Sequence, residues 1–307
     1  MNFQQLRILG ETVKHNFNLT EVAAALNTSQ SGVSKHIKDL EDELGIALFE
    51  RKGKRLLGLT EPGRELIVIV ERMLTDARNI KRIGEQFSQR DAGELRIATT
   101  HTQARYVLPQ VIAKFRARFP KVRLVLHQAN PREIAAMLID GSADVGIATE
   151  TLALEPQLAT FPYLHWNHAV IVPKGHALAR GKPLTLAAIA QYPIVTYDGA
   201  FTGRSKIDAT FAKVGLAPDI VLEALDSDVI KTYVELGLGI GIIAAIAFDA
   251  ARDAGLSLLD ASHLFEANVS RLAVRRGRTQ RDFAYRFIEL LAPELSEAMI
   301  RTSAAKV

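Results

Sequence analysis

Ala23-Ala24-Ala25-Leu26-Asn27-Thr28-Ser29-Gln30-Ser31-Gly32-Val33-Ser34-Lys35 is the stretch whose reading decides the fold. Before it, residues 20 to 26 place Val22, Ala23 and Leu26 on one helical face, and Asn27-Thr28-Ser29 then breaks the pattern. Ser29 suits the N-cap of a further helix from Gln30 to about Leu44, with Val33, Ile37, Leu40 and Leu44 turned inward and Gly45 as its stop. Upstream, Phe3, Leu6, Leu9 and Val13 recur at helical spacing. Three short helices with a tight turn between the second and third form the helix-turn-helix plan, in which the third helix enters the DNA major groove by its N-terminal end. Close approach to bases requires small or polar side chains there, and Ser29, Gln30, Ser31 and Ser34, followed by Lys35 and Lys38, meet the requirement. A basic hairpin-like loop around Gly53 carries Arg51, Lys52 and Lys54, suited to phosphates beside the groove. The competing reading of each part alone is an amphipathic helix set and a solvated charge run; their succession in this order favours DNA.

Thr60-Glu61-Pro62-Gly63 opens a fourth helix running to about Phe87. Leu66, Val70, Met73, Ala77, Ile80, Gly84 and Phe87 alternate at spacings of four and three, the pattern of a coiled-coil seam. The seam reads as a contact between two copies of the chain, the alternative being a helix packed on its own domain. Pairing of two copies would present two recognition helices to successive major grooves. A polar, glycine-ended hinge is expected at 88–92.

From Glu94 onward short strands alternate with helices: strands at 94–99, 122–127 and 144–149 with helices at 103–118 and 131–139 between them, then a second set from 169 to 236, and finally a strand at 272–275 and a helix at 281–291 that closes the chain. This is the signature of an α/β domain with parallel sheets, here in two lobes, the second inserted into the first. The strands ending at Thr99 and Thr149 deliver hydroxyls to one sheet edge, where open α/β sheets bind ligands. Thr100, Thr102, Gln103 and Thr149, with Thr202 from the second lobe, are the candidate anion ligands, and His101 and Trp166 are further candidates to line the cleft. Thr102 and Gln103 open a helix whose free N–H groups favour an anion. The same hydroxyls serve equally well as helix caps.

Composition narrows the function classes. The 307 residues exceed one ordinary core, and 48% hydrophobic with 23% charged residues is globular. The net charge of +4 is spread evenly, with fourteen basic and twelve acidic residues in 1–90, so a nucleic-acid reading rests on local clusters. The absence of cysteine excludes disulfides, thiol catalysis and thiolate metal sites. The polar start, Met1 to Arg7, lacks a signal peptide's apolar segment, and the apolar run 240–248 is short of the roughly 20 residues of a membrane helix, so a cytoplasmic, non-membrane protein is expected. His165 and His168 lack a carboxylate nearby in sequence, Gly237, Gly239 and Gly241 lack the Gly-Lys-Ser/Thr of a phosphate loop, and no serine sits in a Gly-x-Ser-x-Gly elbow. No enzyme, cofactor or metal is therefore expected. An oxyanion solute-binding protein without a gene-regulatory role is the alternative.

Residues Ala23 to Leu26, Ser29-Gln30, Val33-Ser34, Ile37, Leu40-Glu41, Leu44-Gly45, Leu48-Phe49, Arg51, Leu59-Thr60 and Gly63 resemble the DNA-binding signature of the LysR-type transcriptional regulators. Residues 97–106, Ala148-Thr149-Glu150, His165-Trp166-Asn167, Phe201 to Ser205 and Asp228 to Val234 are similar to the CysB-like branch of that family. Ser31 departs from the proline common at that position. The resemblance implies an N-terminal all-α winged helix-turn-helix (1–60) with a long linker helix (61–87), then a C-terminal α/β two-lobed periplasmic-binding-protein-like effector domain (93–307), its first lobe about 93–163 and 267–307, its second about 164–266. It further implies promoter DNA as partner, a homo-oligomer organised as a dimer of dimers, RNA polymerase as a further partner, and control by a sulfur-pathway effector: acetylserine, sulfate, thiosulfate or adenylyl sulfate. In that branch matching threonines and glutamine bind sulfate or inducer.

Overall fold

The computed structural model describes residues 1–53, 55–88, 91–180, 183–199 and 202–305, apart from the side chains of 86, 88 and 202. The chain divides into two compact units, Met1–Glu85 with Gly277–Thr279, and Gln86–Arg276 with Gln280–Val307.

In the first unit, α1 (Phe3–Lys14), α2 (Leu19–Ala25) and α3 (Gln30–Leu44) precede a hairpin of β1 (Phe49–Lys52) and β2 (Arg55–Leu59), and α4 (Glu61–Ser88) follows. Each helix start has a sequence cause. The Asn2, Asn18 and Ser29 side chains accept from backbone N–H groups of the first turns of α1, α2 and α3, the commonest form of N-cap. Asn27 takes a left-handed conformation in the turn before α3, and Gly45 ends α3 the same way. Leu6, Ile8, Leu9, Val22, Val33, Ile37, Leu40, Leu48, Phe49 and Leu56 form one core. Gly63 is required by close packing: a Cβ there would collide with the carbonyl oxygen of Leu48. The wing is a β-hairpin, as the winged helix-turn-helix plan requires. Leu44, expected inside, is exposed because α3 outruns the core by its last turn.

The fourth helix corrects the register of the expected seam. Val70 is 1% exposed and joins Ile67 in the core of the winged unit, with Leu66 and Leu74 half-buried against it. Val70 is therefore withdrawn from any contact between copies, and Leu66 largely so; Ala77 is half-buried. The exposed apolar face runs instead through Ile69, Met73, Ile80, Ile83 and Phe87, again at alternating spacings of four and three, with Asp76 in the one polar position. Met73, Ile80 and Phe87 are common to both registers.

The second unit holds β3 (Gly93–Thr99), a π-helical turn (Gln103–Val107) leading into α5 (Leu108–Arg118), β4 (Val122–Gln128), α6 (Pro131–Asp140), β5 (Val145–Ala148), β6 (Leu158–Trp166), β7 (His168–Pro173), α7 (Leu186–Ile189), β8 (Ile194–Tyr197), α8 (Thr202–Lys213), β9 (Ile220–Ala224), α9 (Ser227–Glu235), β10 (Ile240–Ala244), β11 (Leu256–Asp260), β12 (Asn268–Arg275), α10 (Asp282–Leu291) and α11 (Glu297–Ala305). Two five-stranded sheets result, ordered β4-β3-β5-β12-β6 and β11-β7-β10-β8-β9. The chain crosses between them at Asn167, between β6 and β7, and returns between β11 and β12, which makes the second lobe an insertion in the first. Each sheet is buried on both faces, against Phe115, Phe283 and Phe287 on one side of the first and Ile134 and Leu138 on the other; Phe211 and Phe265 cover one side of the second, Ile230 and Val234 the other. That double burial is why the central strands β5, β7, β8 and β10 read as nearly continuous apolar runs. The helix at 281–291 does not close the chain: α11 follows, and Leu295, Ile300 and Ala304 pack into the first lobe's core. Of the expected hinge 88–92, residues 89 and 90 lie outside the described residues. Among the described residues no helix is long and apolar enough to cross a membrane.

Candidate functional site

Two surfaces concentrate the candidate residues, one in each unit. In the winged unit the capped start of α3 is open to solvent, with Ser29, Gln30, Ser31, Lys35 and Lys38 exposed and Ser34 half-buried. The Ser29 hydroxyl accepts from the Gly32 amide at 3.1 Å and meets the Ser31 hydroxyl at 3.1 Å, while the Gln30 amide donates to the Ser34 hydroxyl at 3.3 Å. These small side chains are tied to their own helix, which keeps the first turn narrow enough to approach base edges. Lys52 is exposed near the wing's tip, and Lys54 lies outside the described residues. Arg51 is also tied within the domain. Its guanidinium binds the Glu41 carboxylate at 2.6 Å, and the same carboxylate accepts from the Leu48 and Phe49 amides, so the pair fastens the wing's first strand to α3. Lys52→Ala is expected to weaken specific and nonspecific DNA binding alike and to lower the slope of log affinity against log salt by roughly one unit; titrations at several salt concentrations read this directly.

Between the lobes lies a cavity of about 40 Å³. Thr100, His101, Thr102, Gln103, Thr149 and Ser270 line it from the first lobe, Trp166 from the crossing, and Tyr197, Gly203, Leu225 and Ala244 from the second. The structure thus brings six of the seven expected cleft residues together; the seventh, Thr202, begins α8, and its side chain lies outside the description. Among the described residues the lining contains hydroxyls, amides, one imidazole and two aromatic rings, and no lysine, arginine or carboxylate. The Thr102 hydroxyl joins the Tyr197 hydroxyl across the cleft, and Tyr197 accepts from the Ala244 amide at 2.9 Å and pairs with the Ser227 hydroxyl at 2.7 Å. Burial pushes the Tyr197 phenol above its ordinary range despite these bonds.

Sequence reading missed three contributors: Ser270, Tyr163 and Tyr197. Gln103 donates from Nε2 to the Ser270 hydroxyl at 2.8 Å and accepts on Oε1 from the Tyr163 hydroxyl, and the Trp166 indole donates to the same serine at 3.1 Å. Ser270 lies 167 residues from Gln103 in sequence, and no local motif marks it. Burial pushes the Tyr163 phenol well above its ordinary range, so it stays a protonated donor.

Charge is held at the cleft's margins. Arg105 meets Asp228 at 2.6 Å, the Tyr106 hydroxyl donates to Asp228 at 2.7 Å, and Lys231 donates to the Tyr106 hydroxyl at 2.8 Å and reaches Asp253 at 3.0 Å. Glu150 of the first lobe pairs with Lys206 of the second at 2.8 Å. His101, Asp226 and Asp228 offer three atoms within 4.8 Å of one another, but Arg105 at 2.6 Å and Lys231 at 3.2 Å already neutralise Asp228, an environment unfavourable to a metal ion. His165 and His168 do not converge: His165 is exposed on β6, and His168, buried in β7 beside Asn268 at 3.3 Å, is pushed down to about 4 by burial, aided by Lys206.

Residues 3–64 match the bacterial regulatory helix-turn-helix proteins of the lysR family, and residues 88–296 match the LysR substrate binding domain. The chain belongs to the LysR family. These are transcription regulators rather than enzymes. This LysR regulator is 58% identical over 300 residues to the HTH-type transcriptional regulator SsuR of Burkholderia cenocepacia, covering 98% of this chain and 97% of the relative. It is 53% identical to CysB of the same organism, over 98% and 96% of the two chains. Its effector unit is similar to the crystal structure of the cofactor-binding domain of the Cbl transcriptional regulator, with a TM-score of 0.68 at 50% identity, covering 70% of this chain and 95% of that one.

Proposed function

We propose that this LysR regulator is a cytoplasmic protein that binds promoter DNA as a homo-oligomer and controls genes of sulfur assimilation, cysteine biosynthesis or organosulfur use in response to a small sulfur oxyanion held between its lobes. The observation that carries the ligand class is the lining of the cleft, where Thr100, Gln103, Thr149 and Ser270 surround a cavity of about 40 Å³ without a fixed charge. Neutral hydrogen-bond donors in a water-poor site hold an anion without demanding a buried counter-ion. The volume favours sulfate or thiosulfate: drug-sized ligands need pockets of roughly 300 Å³ or more, and adenylyl sulfate falls in that class. The sulfur role rests on the CysB-like resemblance of the sequence and on the similarity to SsuR and CysB. Arrangement as a dimer of dimers and contact with RNA polymerase follow from the same resemblance.

Two measurements test the reading. Calorimetry with sulfate, thiosulfate, acetylserine and adenylyl sulfate is expected to show binding of the small oxyanions, and gel shifts on promoter fragments are expected to change when they are added. Thr100→Val keeps the side-chain shape and removes a hydroxyl, so it is expected to weaken anion binding by roughly 1.5 to 3 kcal/mol while DNA affinity without ligand persists. Absence of oxyanion binding by the unmodified protein would overturn the ligand assignment, and absence of promoter binding would favour a solute-binding role.

A further inference from the structure

Ser270 lies on β12 at the floor of the cavity and is fully buried. Its hydroxyl receives two hydrogen bonds, from the Trp166 indole N–H at 3.1 Å and from Gln103 Nε2 at 2.8 Å. An indole nitrogen can only donate, so the direction of the first bond is certain. The second depends on which way the Gln103 amide faces, and Tyr163 decides it. In the observed orientation the Tyr163 phenol donates to Gln103 Oε1. Turning the amide over would pair the Ser270 proton but move the unpaired one to the buried Tyr163 phenol, which does not line the cavity and where no ligand can meet it.

With the amide so placed, both lone pairs of the Ser270 oxygen are engaged. Its proton can then only be donated, and among the described residues it has no acceptor. The second hydrogen on Gln103 Nε2 is in the same position. Two donor hydrogens therefore face the cavity without acceptors among the described residues, while both Ser270 lone pairs and one of the two on Gln103 Oε1 are engaged. The floor offers more hydrogens than lone pairs. Both atoms have hydrogen-bond partners, but each keeps a hydrogen that an acceptor oxygen of a ligand in the cavity can receive.

We infer that Ser270 is itself a ligand of a sulfur oxyanion, its hydroxyl turned onto an anion oxygen because Trp166 and Gln103 occupy its lone pairs. The ligand class is a tetrahedral divalent oxyanion whose exposed atoms are all acceptors, with sulfate as the simplest member. Trp166, expected from sequence only to line the cleft, is on this account the positioning residue for the serine. The inference rests on the reading of the cleft as an oxyanion site.

Calorimetric titration of the full-length protein with sulfate and with thiosulfate tests it. Ser270→Ala is expected to lower affinity for both by roughly ten- to a hundredfold, the range for a bond to a charged group, without changing thermal unfolding in anion-free buffer by more than a few degrees. Trp166→Phe keeps a ring and removes the N–H, and it is expected to weaken sulfate several-fold in the natural background and hardly at all in the Ser270→Ala background, because it acts through the serine. Affinity unchanged by Ser270→Ala in a protein that otherwise binds sulfate overturns the inference and leaves the oxyanion reading standing. Independent, multiplying losses overturn the positioning role of Trp166. If Ser270→Ala does not fold, Trp166→Phe carries the test, and unchanged sulfate affinity in that variant overturns the inference. Failure of the unmodified protein to bind either anion removes the oxyanion reading, and this inference with it.

Discussion

Ile80→Glu is expected to leave the winged unit folded and to lower affinity for an operator with two half-sites by roughly a hundredfold or more, the avidity lost when two linked binding modules are separated. Ile80 is 72% exposed on α4, so within one chain the substitution removes little buried surface. On the exposed row Ile69, Met73, Ile80, Ile83 and Phe87, however, a carboxylate would enter an apolar seam between two copies and lie unpaired, at a cost of several kcal/mol by order of magnitude. Val70→Glu is the informative contrast. Val70 sits in the core with Leu6, Val33 and Ile67, and a buried carboxylate there is expected to unfold the winged unit itself. Sedimentation and circular dichroism of the two variants separate the outcomes: a folded protein with an assembly smaller than that of the unmodified protein for Ile80→Glu, and an unfolded N-terminal unit for Val70→Glu. A folded Ile80→Glu variant with the same assembly mass as the unmodified protein would remove this face of α4 from the contact between copies.

The pair of variants also shows where the sequence was legible and where it stopped. The start of α3, its Ser29 cap and the Gly45 stop were readable because capping is local: side chain and backbone N–H lie three residues apart. The heptad spacing on α4 was readable too, but two apolar rows run along this helix, one at Leu66 and Val70 and the other at Ile69, Met73 and Ile80. Spacing alone cannot say which row meets the winged core, since that depends on where the helix axis lies relative to α1 and α3. In the effector unit, Thr100, Gln103 and Thr149 were visible because they follow strand ends, a position set by topology. Ser270 and Tyr197 come from β12 and β8, and only the closing of the two sheets places them at the cavity. The π-helical turn at 103–107 also went unread, because the side-chain pattern of a single wide turn hardly differs from that of an α-helix. Strand β6 was missed because Pro162 and the mixed burial of Leu158 to Trp166 obscure its alternation. The terminal α11 was missed because its apolar positions are few and small.

Lys231→Met is expected to destabilise the effector unit by about 3 to 5 kcal/mol, the cost of removing one partner from a buried ion pair. Lys231 and Asp253 have side chains only 8% and 10% exposed and lie 3.0 Å apart, and the ammonium also donates to the Ala247 carbonyl at 3.0 Å and to the Tyr106 hydroxyl at 2.8 Å. Methionine fills the space of the stem but leaves the Asp253 carboxylate without its cation. Tyr106 comes from the first lobe and packs on the second lobe's core beside Ile171 and Ile230, so the variant also loosens the closed cleft, and weaker sulfate binding is expected with the lower stability. Double replacement with Asp253→Leu is expected to restore most of the stability, because the cost lies in the unpaired charge rather than in the lost pair. The same network sets a pH window. Burial alone would raise the Asp228 carboxyl, but the bonds from Tyr106 and Lys231 and the charge of Arg105 outweigh it and hold the group below its ordinary value of 3.8. Its stabilisation is therefore present above that value and is lost as pH falls through the lowered one. Burial alone would lower the Lys231 ammonium, but Tyr106, Asp253 and Asp228 raise it above 10.5, so its stabilisation is present below 10.5 and is lost as pH rises through the raised value. Urea unfolding of the unmodified protein is thus expected to show a plateau between these limits that falls at both ends, and Lys231→Met is expected to lose the alkaline fall. A midpoint for Lys231→Met equal to that of the unmodified protein at neutral pH would show that the Lys231–Asp253 pair does not hold the second lobe together.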